Sequence, residues 1–398
     1  MSSKLDKIDR RDFLGTAGAA LAATLIAGES RAFSFNKAVN DMLVYVGTYT
    51  SGGAEGIYVL KLDLGSGELT KVATVKDVVE PSYLTTDGRN RFLYAVNETN
   101  EFEGKPSGAV SAFSIEKDGS LKFINKVPSF GASPCHVIVS ANDKFVLVAN
   151  YMGGNLVVFP VRPDGGLGQY VELKQDHGSG PNKDRQEAAH AHSVYLDSKN
   201  KFALSADLGI DRVMIYKFDE ATGKLTPNAI PSYSTKPGAG PRHLAFHPEG
   251  KFVYIINELD CTITGAAYDA KVGELKEIQT TTTLPSGFSG ENTCAEIALS
   301  PNGKFLYASN RGHDSIASYS VDKTTGKLAY IEHVLTGGKT PRNFTIDPSG
   351  KYLLAANQNS GSIVVFNIDQ SSGRLKASGK KIDIPAPVCL RIIPAPGK

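Results

Sequence analysis

Apolar residues fall in short runs from about residue 43 to residue 393, and polar turns separate the runs at regular distances. The clearest unit spans 241–258. Leu244 to Phe246 is a short apolar run, Pro248-Glu-Gly250 is turn chemistry, and Phe252 to Ile256 is rich in β-branched and aromatic residues. That pattern predicts a hairpin. A third strand is expected over Ile263 to Tyr268, and a fourth after Gly273-Glu-Leu275, which completes an antiparallel meander.

The same unit returns along the chain. Equivalent segments begin at Pro81, Pro134, His192, Ala295 and Pro341, with turns at Asp87-Gly88, Asn142-Asp143, Lys199-Asn200, Pro301-Asn-Gly303 and Pro348-Ser-Gly350. A Gly followed two places later by Leu marks seven fourth strands. The leucines are 69, 121, 167, 225, 275, 328 and 375, separated by 52, 46, 58, 50, 53 and 47 residues. A period of about 50 built from short strands is the signature of a propeller blade. The fold class is therefore all-β, a seven-bladed β-propeller of four-stranded antiparallel blades.

Six blades are continuous and the seventh is split. Leu43 to Gly47, Ile57 to Leu62 and Leu69 to Val75 supply strands two to four, and Pro387 to Ile393 has the form of a first strand with no hairpin after it. The two chain ends are expected to pair and close the ring, which removes the exposed edges of an open array.

Composition alters this picture little. The chain has 398 residues, net charge +2 and no Trp; 16 Tyr and 18 Phe are available to fill the spaces between sheets. The charge balance gives no reason to expect nucleic acid or an anionic membrane as a partner. Cys135, Cys261, Cys294 and Cys389 have no C-x-x-C spacing and are expected to be buried thiols. The first 40 residues differ in kind. Arg10-Arg11 followed by the small, apolar stretch Ala17 to Ala27 reads as a twin-arginine export signal over 1–32, with cleavage after Ala32. A linker over 33–42, a propeller domain over 43–393 and a tail over 394–398 follow. The expected location is the periplasm or another exported site, reached through the twin-arginine machinery, and the mature protein is expected to have no membrane span.

In a propeller each innermost strand starts, and each second strand ends, on one face of the disc. Those positions collect His136, His192, Arg242, His243, Glu258, Glu296, Arg311 and Arg342 at one mouth of the central channel. Insertions over roughly 98–109, 174–191 and 284–294 reach the same mouth and are expected to wall a pocket. Six of seven second strands end in Asn or Asp, a repetition that suits a turn former better than a ligand. His136 and His243 could equally bond neighbouring backbone, and Glu296 could pair with Arg342. His192, Arg242, Glu258 and Arg311 are harder to assign a structural role, because no repeat requires four ionisable groups from consecutive blades at one mouth.

Pro241-Arg-His-Leu-Ala-Phe-His-Pro-Glu-Gly-Lys-Phe-Val-Tyr-Ile-Ile-Asn-Glu258, Ser300-Pro-Asn-Gly-Lys-Phe-Leu-Tyr-Ala-Ser-Asn-Arg-Gly312, Pro181-Asn-Lys-Asp-Arg-Gln-Glu187 and Ala206-Asp-Leu-Gly-Ile-Asp211 resemble the seven-bladed lactonase family, which holds propeller-type 6-phosphogluconolactonases and 3-carboxy-cis,cis-muconate cyclases. The resemblance covers about 43–393. It implies an enzyme that opens a sugar-derived lactone and needs no cofactor, with His192, Arg242, Glu258 and Arg311 catalytic and His136, His190, His243, Arg342 and Asn310 lining the substrate. In that reading His192, titrating near neutral pH, moves protons; Glu258 orients it or activates water; the arginines hold the oxyanion. Lactone closure of the muconate type is an alternative. So is a calcium-dependent sugar lactonase using Glu98, Asn150, Asp207 and Glu258, although two arginines in the mouth oppose a dication there. A third alternative is a propeller that only binds a protein or glycan. No G-x-S-x-G elbow, H-E-x-x-H or phosphate-cradling glycine loop occurs.

Overall fold

A computed structural model describes residues 41–396, and the expected twin-arginine segment lies outside them. Seven four-stranded antiparallel sheets follow one another around a ring. Blade 1 runs from Leu84–Thr86 to Leu121–Pro128, blade 2 from Pro134–Val139 to Glu172–Gln175, and blade 3 from Ala191–Leu196 to Leu225–Ser234. Blade 4 runs from Pro241–Phe246 to Glu274–Thr282, blade 5 from Thr293–Leu299 to Leu328–Leu335, and blade 6 from Pro341–Ile346 to Leu375–Asp383.

Blade 7 is the split one. Pro387–Pro394 pairs antiparallel with Asp41–Thr48, in a register that sets Val44 opposite Ile392 and Val46 opposite Leu390. The ring is thereby closed by hydrogen bonds between the chain ends. Strand pairing begins at Asp41, so the last two residues of the expected linker already belong to the sheet. The first strand of blade 1 is short, starting at Leu84 rather than Pro81.

The apolar runs have a direct physical cause. A blade is covered on both faces by its neighbours, so its second strand is buried along its whole length, as in Phe145–Asn150, Phe252–Asn257 and Tyr352–Asn357. Strands buried on two faces read as continuous apolar runs rather than as alternation. Seven hydrophobic clusters result, each between adjacent blades. The Gly-x-Leu phrase belongs to the same packing. Gly373 turns with φ of +73°, and a side chain there would collide with the Phe305 ring of the preceding blade. Tyr307 of that blade donates a hydrogen bond to the Gly373 carbonyl at 3.0 Å. Only glycine meets both the left-handed turn and the close approach.

Candidate functional site

Local irregularities in the innermost strands place the polar side chains. In blade 2, Pro134 faces Asn150 and His136 faces Ala149, so Cys135 is an extra residue without a cross-strand partner. The same one-residue bulge inserts His192 in blade 3, Arg242 in blade 4 and Arg342 in blade 6. Bulges re-aim side chains at the rim of a sheet. Here they supply one side chain per blade to the channel mouth.

Second strands contribute differently. Their terminal Asn or Asp fastens the strand end to adjoining backbone: Asn97 Nδ2 donates to Val79 O at 2.6 Å, Asn150 Nδ2 to Ser129 O at 2.9 Å, and Asp207 Oδ1 accepts from the His190 and Gly209 amides. With that residue fixed, the next one points into the mouth, and Glu98, Tyr151, Glu258 and Arg311 occupy those places.

Glu258 is the centre of the group. Its side chain is 4% exposed and one oxygen, Oε2, lies 2.9 Å from Arg242 Nε and 2.9 Å from Arg311 Nη2. The other, Oε1, accepts from Arg185 Nη2 at 2.6 Å. Burial would raise the carboxyl pKa, but Arg311, Arg242 and Arg185 together hold it far below the usual carboxylate range. Each arginine is held a second time. Arg242 Nη1 donates to Ala295 O at 2.7 Å, Arg311 Nη2 to Cys294 O at 2.8 Å, and Arg185 Nη2 reaches the Tyr151 hydroxyl at 3.3 Å. Burial pulls Arg311 down to about 10, which still leaves it charged at neutral pH. Three cations around one carboxylate leave excess positive charge.

His192 Nε2 stands 3.9 Å from Glu258 Oε2. Burial, and then Arg242, His243 and Arg342, hold its pKa well below the ordinary value. The ring is therefore neutral at pH 7, a correction to the expectation of a group titrating near neutrality. A cavity of about 670 Å³ opens beside the cluster, its lining including Arg185, Arg311, Glu291, Asn182, Asn292 and Thr293. Two of the three long insertions, 174–191 and 284–294, wall it as expected. The third forms a short hairpin, Glu101–Phe102 with Lys105–Pro106, and does not line it.

The family model described as a seven-bladed β-propeller lactonase matches residues 43–392. The chain belongs to that lactonase family. A 6-phosphogluconolactonase of Bacillus subtilis (strain 168) is 38% identical over 350 residues, 88% of this chain and 97% of the relative. A 6-phosphogluconolactonase of Formosa agariphila is 36% identical over 306 residues, covering 76% and 85%. Among solved structures, the periplasmic gluconolactonase PpgL of Pseudomonas aeruginosa superposes with a TM-score of 0.84 at 32% identity, covering 89% of this chain and 100% of that one. This lactonase is a hydrolase of carboxylic ester bonds.

Beneath the mouth of the lactonase a second polar layer crosses the channel. His243 Nδ1 lies 3.0 Å from Glu296 Oε1, and Asn343 Nδ2 donates to Glu296 Oε2 at 2.5 Å. Arg242 Nη1 sits 3.3 to 3.4 Å from both His243 ring nitrogens, which ties this layer to the one above. Glu296 therefore does not pair with Arg342; the Arg342 guanidinium instead lies over the Tyr49 ring, 5.4 Å from its centroid. His136 packs between Tyr83 and Tyr195 in the same layer.

His136, expected to line the substrate, thus lies below the mouth and outside the cavity there, and two further expected contacts, Asn310 and His190, are engaged elsewhere in the lactonase. Asn310 is fully buried, donating to Thr283 O at 2.7 Å and accepting from Thr283 Oγ1 and Asn292 Nδ2, so it latches its strand end rather than lining the cavity. His190 stacks on Tyr151 at 4.5 Å and is held by Tyr151 O and Glu187 Oε1, both at 3.0 Å. The four side chains considered for calcium do not converge: Glu98 accepts from the Tyr49 hydroxyl, Asn150 and Asp207 bind backbone, and Glu258 is taken by arginines. Asp176 and Asp207 form a further buried pair with unpartnered Oδ2 atoms, and burial raises both carboxyls.

Arg185 is the functional residue that sequence reasoning missed. It sits in the insertion 174–191, which has no periodicity to read. Gln186 anchors that loop, donating to Leu208 O and Asp211 Oδ1 at 2.8 Å each and accepting from the Asn182 amide at 3.1 Å. Its position inside the quoted motif Pro181 to Glu187 was the available signal.

Proposed function

We propose that this lactonase hydrolyses a sugar-derived lactone, of gluconolactone or 6-phosphogluconolactone type, to the aldonic acid at the channel mouth. One observation carries the reading: a neutral, buried imidazole stands beside a carboxylate that three arginines keep ionised, and two of those arginines, Arg185 and Arg311, line an open cavity. His192 is the base in this reading, since both Glu258 oxygens are held by arginines and that carboxylate is too acidic to take a proton from water. Water attacks the acyl carbon as His192 accepts its proton, and the imidazolium forms 3.9 Å from Glu258. The carbonyl oxygen becomes an oxyanion, which Arg311 and Arg185 at the cavity wall stabilise. Collapse breaks the ring C–O bond and His192 returns the proton to the departing alkoxide. The excess positive charge also suits a carboxylate or phosphate on the substrate.

The test is acid release from glucono-1,5-lactone and its 6-phosphate by the purified protein, with and without chelator. Saturable opening of either lactone, unaffected by chelator, is expected. Loss of activity with chelator and recovery with calcium would transfer Glu258 to a metal site, and no opening of either lactone would exclude a substrate of the gluconolactone type.

We further infer that residues 1–32 direct export through the twin-arginine route, leaving a mature protein that begins near Phe33. Arg10-Arg11 ahead of an apolar stretch supports this, as does the family's periplasmic gluconolactonase. Replacing both arginines by lysine should trap precursor in the cytoplasm; normal export of that variant would refute it.

A further inference from the structure

The channel is not used up by the site at its mouth. Below the layer of His243 and Glu296 lies a separate cavity of about 310 Å³, open to the opposite face. Only a void of about 10 Å³, room for about one water, lies between the two ends. Ser82, Tyr83, Arg242 and Arg342 are among the side chains that line this neck.

Most residues that line the lower cavity are apolar, and its few polar side chains are mainly donors. His136 is 1% exposed, and its Nε2 has no hydrogen-bond partner. The Val194 amide points at Nδ1 at 3.5 Å, and burial keeps the ring neutral, so the ring proton sits unanswered on Nε2 of a ring that lines the cavity. The outer end of the cavity carries Arg391, whose Nε and Nη2 reach only the Thr86 hydroxyl, at 3.2 and 3.1 Å. Among the described residues no carboxylate pairs with it. Thr85, Thr345 and the Tyr195 ring line the wall between, while both oxygens of Glu296, the one carboxylate there, are already engaged by His243 and Asn343.

We infer that this lower cavity is a second ligand site, for a small hydroxy acid, with its carboxylate on Arg391 and a hydroxyl or carbonyl oxygen accepting from His136 Nε2. One guanidinium with neutral donors beyond it suits a single negative charge followed by further oxygens. A compact dianion such as phosphate calls for more than one cation. The volume is at the small end for ligand pockets, which limits the occupant to a short acid. This assignment stands apart from the lactone reading, because neither Arg391 nor His136 takes part in it.

Calorimetric titration of the intact protein with L-lactate tests the inference, using Arg391→Gln, His136→Phe and Glu258→Gln as variants and inorganic phosphate as the comparison anion. Saturable lactate binding is expected, weakened tenfold or more by Arg391→Gln, severalfold by His136→Phe, and unchanged by Glu258→Gln. Arg391→Gln, at an exposed position, should leave lactone opening at the parent rate. No saturable lactate binding, or binding that only Glu258→Gln removes, overturns the proposal. Phosphate binding as tight as lactate and indifferent to His136→Phe overturns it too, since Arg391 alone would then account for the site.

Discussion

Glu258→Gln is the most informative single change, because it keeps the shape of the side chain and removes only its charge. In the parent the carboxylate neutralises Arg242 and Arg311, whose side chains are 3% and 12% exposed, while Arg185 at 39% is partly solvated. Breaking a buried ion pair by removing one partner costs about 3–5 kcal/mol, because the remaining charge stays desolvated. Arg185 adds little to that figure, since water screens it. An unfolding entropy of about 2.1 cal/mol/K per residue over roughly 350 residues then translates 3–5 kcal/mol into a fall in Tm of about 4–7 °C. The sign with pH is also fixed. A carboxyl whose native pKa lies below its unfolded value stabilises the fold above about pH 4, and the contribution is lost only as the pH falls through the native value. Thermal unfolding of parent and variant at pH 7 and at pH 3 measures both effects. The difference should be largest at pH 7 and smaller at pH 3. A variant as stable as the parent at pH 7 would refute the claim that this carboxylate holds the arginines in place.

Three further outcomes follow from other parts of the molecule. Arg311→Lys keeps the charge but replaces the flat guanidinium, whose Nη2 bonds both the Cys294 carbonyl and Glu258 and so fixes its plane, with a rounded ammonium, so turnover on a lactone should fall tenfold or more; a steady-state assay showing parent turnover would exclude a role for guanidinium geometry. Asp176→Asn replaces one of two carboxyls whose native pKa values are raised, so the pair's stability is present below about pH 4 and is lost as the pH rises towards neutrality; denaturant titration should find the variant gaining on the parent by about 1 kcal/mol or more between pH 4 and pH 8, and no dependence on pH would show that the pair does not share a proton. Deletion of residues 387–398 removes the strand that pairs with Asp41–Thr48 and uncovers apolar faces of blades 6 and 1, so cooperative unfolding should shift down by more than 10 °C or be lost; an unchanged melting curve would contradict closure by the chain ends.

The ring was legible in the sequence because its packing rules repeat. Each blade needs a left-handed glycine against an aromatic or aliphatic side chain of its neighbour, and each second strand is buried on both faces, so Gly-x-Leu phrases and apolar runs recur with the blade. The split blade was legible for the same reason, since a missing first strand at one end has its counterpart at the other. His192, Arg242, Glu258 and Arg311 were legible as departures from the repeat, and the structure brings those four together. What the repeat does not encode is which side chain a non-repeating loop delivers, and Arg185 arrives through Gln186, whose partners Leu208 and Asp211 are 22 and 25 residues away in sequence. Asn310 belongs to the repeated Asn or Asp at the second-strand ends, and its bonds to Thr283 and Asn292 accord with the turn-forming role that the repetition suggested rather than with a substrate contact. The protonation state of His192 was likewise out of reach, since it depends on burial and on arginines from other blades.

The central claim is that proton transfer at the channel mouth belongs to His192, working against an ionised Glu258. It is tested most directly by the pH dependence of kcat/KM for glucono-1,5-lactone between pH 4.5 and 7, in the parent and in His192→Ala. The parent should show an acid limb well below the ordinary histidine value of about 6.5. His192→Ala should lose roughly a hundredfold or more of the activity, together with that limb. A parent profile that falls away at pH 6.5 or above, or a His192→Ala enzyme with parent activity, would contradict the account.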